Sequence, residues 1–124
     1  MNVLDLAGVG VRLGDAEVLH GATCTLDART IAVIGDNGSG KSTLARLAGG
    51  LVTATEGRIR VLGLDPAREP ARLRRRVCVV FSNPDAQIIM PTVAEDVAFS
   101  LRSQKLPRAE TARRVDAALE RFGL

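Results

Sequence analysis

The run GDNGSGKST, residues 35–43, combines residue types that hold phosphate groups. Residues Gly35 to Ser42 fill every fixed position of the pattern G-x-x-x-x-G-K-[ST]. Gly35, Gly38 and Gly40 have no Cβ atom, so the main chain can turn tightly and come close to an anion. Successive main-chain N–H groups then point inward and form a concave anion-binding surface. The pattern therefore predicts a loop that binds the phosphates of a nucleoside triphosphate.

Two side chains in this run add charge and a metal ligand. Lys41 supplies a mobile positive charge for the terminal phosphates, and the Ser42 hydroxyl is placed to bind Mg²⁺. The helix predicted to begin at Ser42 would present its positive N-terminus to the same phosphates. The predicted binding residues are Gly35, Asp36, Asn37, Gly38, Ser39, Gly40, Lys41, Ser42 and Thr43, with Ser42 as the metal ligand.

Hydrolysis of the triphosphate needs further groups. An acidic residue on another strand must hold the metal, and a further group must orient the attacking water. No predicted apolar strand of this sequence ends in Asp or Asp-Glu, and the acidic residues lie mainly in predicted turns and helices. We therefore assign no catalytic residue, and the sequence leaves open whether this chain is an enzyme.

The elements around the glycine run alternate between strand and helix patterns. Continuous apolar runs at Thr30–Ile34 and Val77–Phe81 predict strands buried on both faces. Between them we predict a helix from Ser42 that ends at Gly49-Gly50, a half-buried strand carrying Ile59 and Val61, and a short Arg-rich helix after Asp65-Pro66.

The N-terminal region has the pattern of an antiparallel layer. Val9–Leu13 and Glu17–Leu19 flank Gly14-Asp15, which is a hairpin signal, and Ala22–Leu26 is predicted as another strand. Together with the buried strands, this predicts an α/β fold with a parallel sheet, helices and an N-terminal antiparallel layer. An ordinary sheet has more than two parallel strands, so we expect this unit to be incomplete or to take strands from elsewhere.

The last third of the sequence predicts a polar loop and two helices. The loop covers Ser82 to Pro91, and Thr92 and Glu95 then have the spacing of a capping box. Apolar residues recur at helical spacing at Val93, Val97 and Leu101, and again, after Pro107, at Val115, Leu119 and Phe122.

Composition narrows the class of protein. At 124 residues, 46% hydrophobic and 25% charged, the chain has the size and mix of one folded domain. The net charge of +3 could indicate nucleic-acid binding, but a 2% aromatic content offers no surface on which bases could stack. The arginine cluster at Arg72, Arg74, Arg75 and Arg76 is interpreted as a solvated helix end, with phosphate or partner binding as the alternative.

Two segments resemble a known family. GDNGSGKSTLARLAGGLVTATEGRIRVLG resembles the Walker A region of ABC transporter ATPases. FSNPDAQIIMPTVAEDVAF resembles the loop and helix after the second Walker strand in ATPase subunits of energy-coupling factor (ECF) importers, the group that takes up cobalt, biotin and other vitamins. The resemblance covers essentially the whole of residues 1–124, and it matches only the N-terminal half of such a P-loop ATPase domain, with the C-terminal half missing.

The resemblance implies a function, cofactors and partners. ATP with Mg²⁺ would bind at Gly35–Thr43, sandwiched against a second ATPase subunit, identical or different. The Ser82–Pro91 loop would be the Q-loop, and with the helices after it would contact a transmembrane subunit. The protein would lie at the cytoplasmic face of the membrane and bind no nucleic acid. Among substrates, the loop similarity favours biotin, followed by cobalt or another vitamin.

The sequence departs from the family pattern in three respects. Ser82 stands where the Q-loop glutamine is usual, and Leu13 stands where an aromatic residue usually stacks on adenine. The signature LSGGQ, the Walker B aspartate with its catalytic glutamate, and the switch histidine are absent, since His20 lies in the predicted hairpin layer. Two alternatives therefore stay open: a P-loop binding module that does not hydrolyse ATP, and a DNA-associated P-loop ATPase.

Overall fold

The computed structural model describes residues 2–124, which form two compact units. The first unit ends at Val79 and the second comprises Val80–Leu124. Across the described residues, no helix combines the length and apolarity needed to cross a membrane.

A three-stranded antiparallel sheet forms the frame of the first unit. Strands β1 (Leu4–Leu13), β2 (Ala16–Leu26) and β3 (Glu56–Val61) lie in the order β2-β1-β3. The hairpin predicted at Gly14-Asp15 is confirmed, because Leu13 pairs with Ala16 and Gly14 has a φ of 63°. The separate strand predicted at Ala22–Leu26 is wrong, since β2 runs without a break from Ala16 to Leu26.

The apolar face of this sheet supports the first helix. Leu4, Leu6, Val9 and Val11 of β1 are buried. Ile59 and Val61 of β3 are buried as well, whereas Arg58 before them is exposed and Arg60 between them is partly exposed, which confirms the predicted half-buried strand. Leu47, at 1% exposure, belongs to the same core and connects helix α1 (Lys41–Ala48) to the sheet.

Two helices of the first unit end as the sequence predicts. The C-cap of α1 is Gly49, and Gly50 follows with a φ of 75°, a conformation that glycine adopts without strain. Helix α2 (Pro70–Arg74) begins with a proline and buries Leu73. Its clustered arginines, Arg72, Arg74, Arg75 and Arg76, are all exposed, which confirms the solvated helix end.

The predicted buried strands at Thr30–Ile34 and Val77–Phe81 are not formed. Neither segment belongs to a strand of the structure, and Ile34 and Val80 are 92% and 90% exposed. A strand is stabilised by main-chain hydrogen bonds to a neighbouring strand, and no strand of residues 2–124 pairs with either segment. The parallel part of the predicted sheet therefore has no partners within the described residues, whereas the antiparallel layer is complete in itself.

The second unit consists of two α-helices and short 3₁₀ turns. Helices α3 (Val93–Phe99) and α4 (Arg108–Arg121) follow 3₁₀ segments at Pro84–Gln87 and Arg102–Gln104, respectively. The predicted cap of α3 is confirmed, since Thr92 Oγ1 accepts a hydrogen bond from the Glu95 N–H at 3.2 Å. The predicted apolar stripe Val93, Val97 and Leu101 is wrong at its last position, because α3 ends at Phe99. Val115 is the buried residue of α4.

Replacing Leu47 by alanine is expected to destabilise the first unit by about 2–5 kcal/mol, because it removes a fully buried side chain and leaves a cavity. Leu51→Ala is the matched control, since Leu51 is 55% exposed. Urea unfolding of both variants measures the difference. Equal losses of stability would contradict the placement of Leu47 in the core.

Candidate nucleotide-binding site

The glycine run forms a tight loop at the start of α1. The Ser39 N–H donates to the Asp36 carbonyl at 3.1 Å, which closes a turn inside the loop. Gly38 and Gly40 have φ angles of 79° and 99°, in the region that strains any residue with a Cβ atom. The Leu44 N–H then donates to the Gly40 carbonyl at 2.9 Å and starts the helix. The loop geometry predicted from the glycine spacing is therefore present.

The loop main chain is packed too closely for larger residues. A Cβ atom on Gly40 would lie 2.9 Å from Leu19 Cδ2 and 3.1 Å from the Val18 carbonyl oxygen of β2. A Cβ atom on Gly35 would lie 2.7 Å from Ser39 Oγ. Gly40 therefore fixes the start of α1 against the sheet, and Gly35 keeps the interior of the loop open.

The Lys41 ammonium lies over the loop. Its Nζ donates to the carbonyl oxygens of Gly35 at 2.5 Å and Asp36 at 2.7 Å, with Ser39 Oγ at 3.4 Å. These three contacts hold a positive charge at the concave side of the loop. Phosphate oxygens are stronger acceptors for an ammonium group than neutral carbonyl oxygens, so a bound polyphosphate can replace these contacts.

The N-terminus of α1 adds donors to the same place. The first N–H groups of an α-helix have no partner within the helix, and the aligned peptide dipoles make that end positive. The first turn of α1 contains no acidic residue, and the Gly40 cap provides no side-chain hydrogen bond. No charge of the helix itself therefore competes with an anion at this end.

Consecutive residues of the first turn face different ways. Ser42 is exposed, whereas the side chain of Thr43 is buried, with 6% of the residue exposed. The Ser42 hydroxyl is thus free to bind a cation that the phosphates bring with them. The described residues contain no group of three or more His, Cys, Asp or Glu side chains that could hold a metal ion. The residues present therefore fit a Mg²⁺ held by Ser42 and by the nucleotide.

The Ser82–Pro91 loop lies in the second unit, and side-chain oxygens of Asn83 and Asp96 hold it by hydrogen bonds to its main chain. Asn83 Oδ1 accepts the Asp85 N–H at 3.2 Å and stabilises the 3₁₀ segment. Asp96 Oδ1 accepts the N–H groups of Ile89 at 3.0 Å and Met90 at 3.1 Å. The sequence analysis did not predict this role of Asp96. The available signal was an aspartate in the first turn of a helix that directly follows a loop.

Two other residues singled out in the sequence lie in the sheet. Leu13 ends β1 and is 43% exposed, and the His20 side chain in β2 is 78% exposed. The surface position predicted for His20 is confirmed.

The chain matches a known family over most of its length. A family model described as ABC transporter matches residues 19–124. The chain is 44% identical over 122 residues to a putative ABC transporter ATP-binding protein of Deinococcus radiodurans, covering 98% of this chain and 54% of that protein. It is 42% identical over 123 residues to the biotin transport ATP-binding protein BioM of Rhizobium etli, covering 99% and 54%.

Further relatives belong to energy-coupling factor transporters. The ATP-binding protein EcfA1 of Lacticaseibacillus paracasei is 46% identical over 95 residues, which cover 76% of this chain and 34% of that protein. Among solved structures, CbiO1 of Clostridium perfringens, part of the ABC transporter complex CbiONQ, matches with a TM-score of 0.77 and 32% identity over 99% of this chain and 51% of that chain.

The matches cover only part of the length of these relatives. The chain spans about half the length of the relatives that it matches, covering 54% of the Deinococcus radiodurans protein and 54% of BioM of Rhizobium etli. Its fold is that of a P-loop NTPase, in which the antiparallel layer and the phosphate loop are present within the described residues. The chain belongs to the ABC transporter ATP-binding family and corresponds to the N-terminal half of such a domain, with ECF-type subunits among its relatives.

Proposed function

We propose that this chain forms the nucleotide-binding part of an ATP-binding subunit of an ECF-type importer, which couples ATP binding and hydrolysis to uptake of a vitamin or metal ion. The observation that carries the proposal is the loop at residues 35–43, where the Lys41 ammonium lies over a tight main-chain turn at a helix start. Biotin is the proposed substrate, because biotin transport subunits occur among the relatives at 42% and 39% identity.

In this proposal Gly35–Thr43 bind the triphosphate of ATP. The main-chain N–H groups of the loop and of the first turn of α1 donate to phosphate oxygens. Lys41 exchanges the carbonyl oxygens of Gly35 and Asp36 for the terminal phosphates. Ser42, exposed at the same end of the helix, provides a ligand for Mg²⁺.

The Ser82–Pro91 loop is the proposed contact to a transmembrane subunit. Ile88 and Ile89 of this loop are 61% and 64% exposed, and they form an apolar pair of the kind found at contact surfaces. The hydrogen bonds from Asp96 hold this part of the loop on α3. The protein would then lie at the cytoplasmic face of the membrane and pair with a second ATPase subunit.

Replacing Lys41 by alanine is expected to weaken MgATP binding at least tenfold, because the charge over the phosphate loop is lost. Lys105→Gln is the matched control, since Lys105 is the other lysine of the chain and lies in the second unit. Isothermal titration with MgATP compares the two variants with the unmodified chain. Equal affinities in all three would exclude the loop as the nucleotide site.

Replacing Gly40 by alanine is expected to weaken MgATP binding at least tenfold and to lower the free energy of unfolding by about 1–3 kcal/mol, because the new Cβ atom meets Leu19 and Val18. Gly14→Ala provides the control: its φ is also positive, at 63°, but no atom lies within 4 Å of the added Cβ. Titration and thermal unfolding are the measurements. A Gly40→Ala variant that binds as well as Gly14→Ala would contradict the close approach.

The 124-residue chain alone is expected to release no phosphate from ATP above the level of its Lys41→Ala variant, because no acidic strand end holds the metal and positions water. A phosphate-release assay at saturating MgATP tests this. Turnover that Lys41→Ala abolishes would show that the chain hydrolyses ATP by itself.

A further inference from the structure

A second charged cleft lies in the first unit, along the free edge of the sheet. Its volume is about 440 Å³, and it is bounded by the loop at residues 50–54, by β3 and by the loop at residues 65–68. None of the residues that line it belongs to the phosphate loop at 35–43. Leu47 and Ile59, both buried, form part of its wall. The cleft is therefore separate from the proposed nucleotide site.

Three arginines and one aspartate provide the charges of this cleft. Arg60 Nη1 lies 3.6 Å and Arg68 Nε 3.9 Å from Asp65 Oδ2. The third arginine, Arg58, is exposed, and no ion pair is found for it within residues 2–124. Glu69, next to the cleft, is paired with Arg72 at 2.6 Å. Among the lining residues, three guanidinium groups against one carboxylate therefore leave an excess of two positive charges.

Asp65 is held so that it positions two of these arginines. Its Oδ1 atom accepts the N–H groups of Ala67 at 3.0 Å and Arg68 at 3.4 Å, and its own N–H donates to Glu69 Oε2 at 3.0 Å. These contacts fix the carboxylate on the loop. The side chains of Arg60 and Arg68 remain 41% and 85% exposed, so both guanidinium groups are accessible to a ligand that enters the cleft from solvent.

The edge of β3 adds main-chain donors. The Leu62 N–H donates to the Val3 carbonyl, and the Val61 N–H donates away from β1 to the Leu64 carbonyl, both at 2.9 Å. Main-chain groups alternate in direction along an antiparallel strand, so those of Ile59 also face away from β1. Ile59 lines the cleft, so its N–H lies on the edge of β3 that bounds the cleft.

We propose that this cleft binds a small polyanion with two phosphate or carboxylate groups. One group binds between Arg60 and Arg68, where the planar guanidinium groups match the geometry of two oxygens. The second group binds at Arg58 and the Ile59 N–H. The ligand compensates the two positive charges that Asp65 leaves unbalanced.

Inorganic pyrophosphate is the first probe, and citrate is the carboxylate probe. The Lys41→Ala background weakens the phosphate loop as a competing site. The arginine variants described below, none of which lies in that loop, then assign the remaining binding to the cleft independently of the proposed nucleotide site. Isothermal titration is expected to give one pyrophosphate or one citrate per chain. A chain of this background that binds neither probe at millimolar concentration would overturn the proposal.

Charge-matched variants then locate the site. Arg58→Gln and Arg68→Gln are each expected to lower the affinity at least tenfold, whereas Arg74→Gln, on an exposed position of α2 outside the cleft, changes it less than twofold. Equal losses in all three variants would show that general positive charge attracts the probe, and would overturn the site. If Arg58→Gln does not fold, Arg58→Lys, which keeps the charge but loses the planar fork, is expected to bind several-fold more weakly; unchanged affinity would overturn the role of Arg58.

Discussion

The site depends on one close approach of main chain to main chain, between Gly40 and the carbonyl of Val18. Only a residue without a Cβ atom allows the loop to lie this near β2 and to take a φ of 99° at the start of the helix. Because that contact fixes where α1 begins, it also fixes the direction of the first-turn N–H groups. Lys41, the first residue of the helix, then reaches back over the loop to the carbonyls of Gly35 and Asp36.

The antiparallel layer is the support for this contact. The buried residues of β1 and β3 form an apolar face, and Leu47 attaches α1 to it. The layer keeps its own hydrogen-bonded neighbours, so it holds α1 without the parallel strands. The phosphate loop therefore has its geometry even though residues 30–34, which lead into it, are not part of a strand.

Much of the local structure could be predicted, because it depends on neighbours in sequence. The Gly14-Asp15 hairpin, the end of α1 at Gly49, and the Thr92 cap all follow from residue types within a few positions of one another. The two missed strands, Thr30–Ile34 and Val77–Phe81, have apolar patterns that predict burial, but they need partner strands that a local pattern does not provide. The hydrogen bonds of Asp96 to Ile89 and Met90 were missed for a related reason, since they join two elements.

The sequence by itself determined the residue types of the proposed phosphate loop: three glycines, a lysine and a serine stand at the spacing that this chemistry requires. Only the tertiary structure decided which surfaces that loop meets and where charges from distant segments gather. Arg58 and Arg60 of β3 lie beside Asp65 and Arg68 because the chain folds back along the edge of the sheet. Spacing along the chain determines local geometry such as turns and helix caps. The proximity of charged residues from separate segments depends on how the elements pack, and no single segment carries that information.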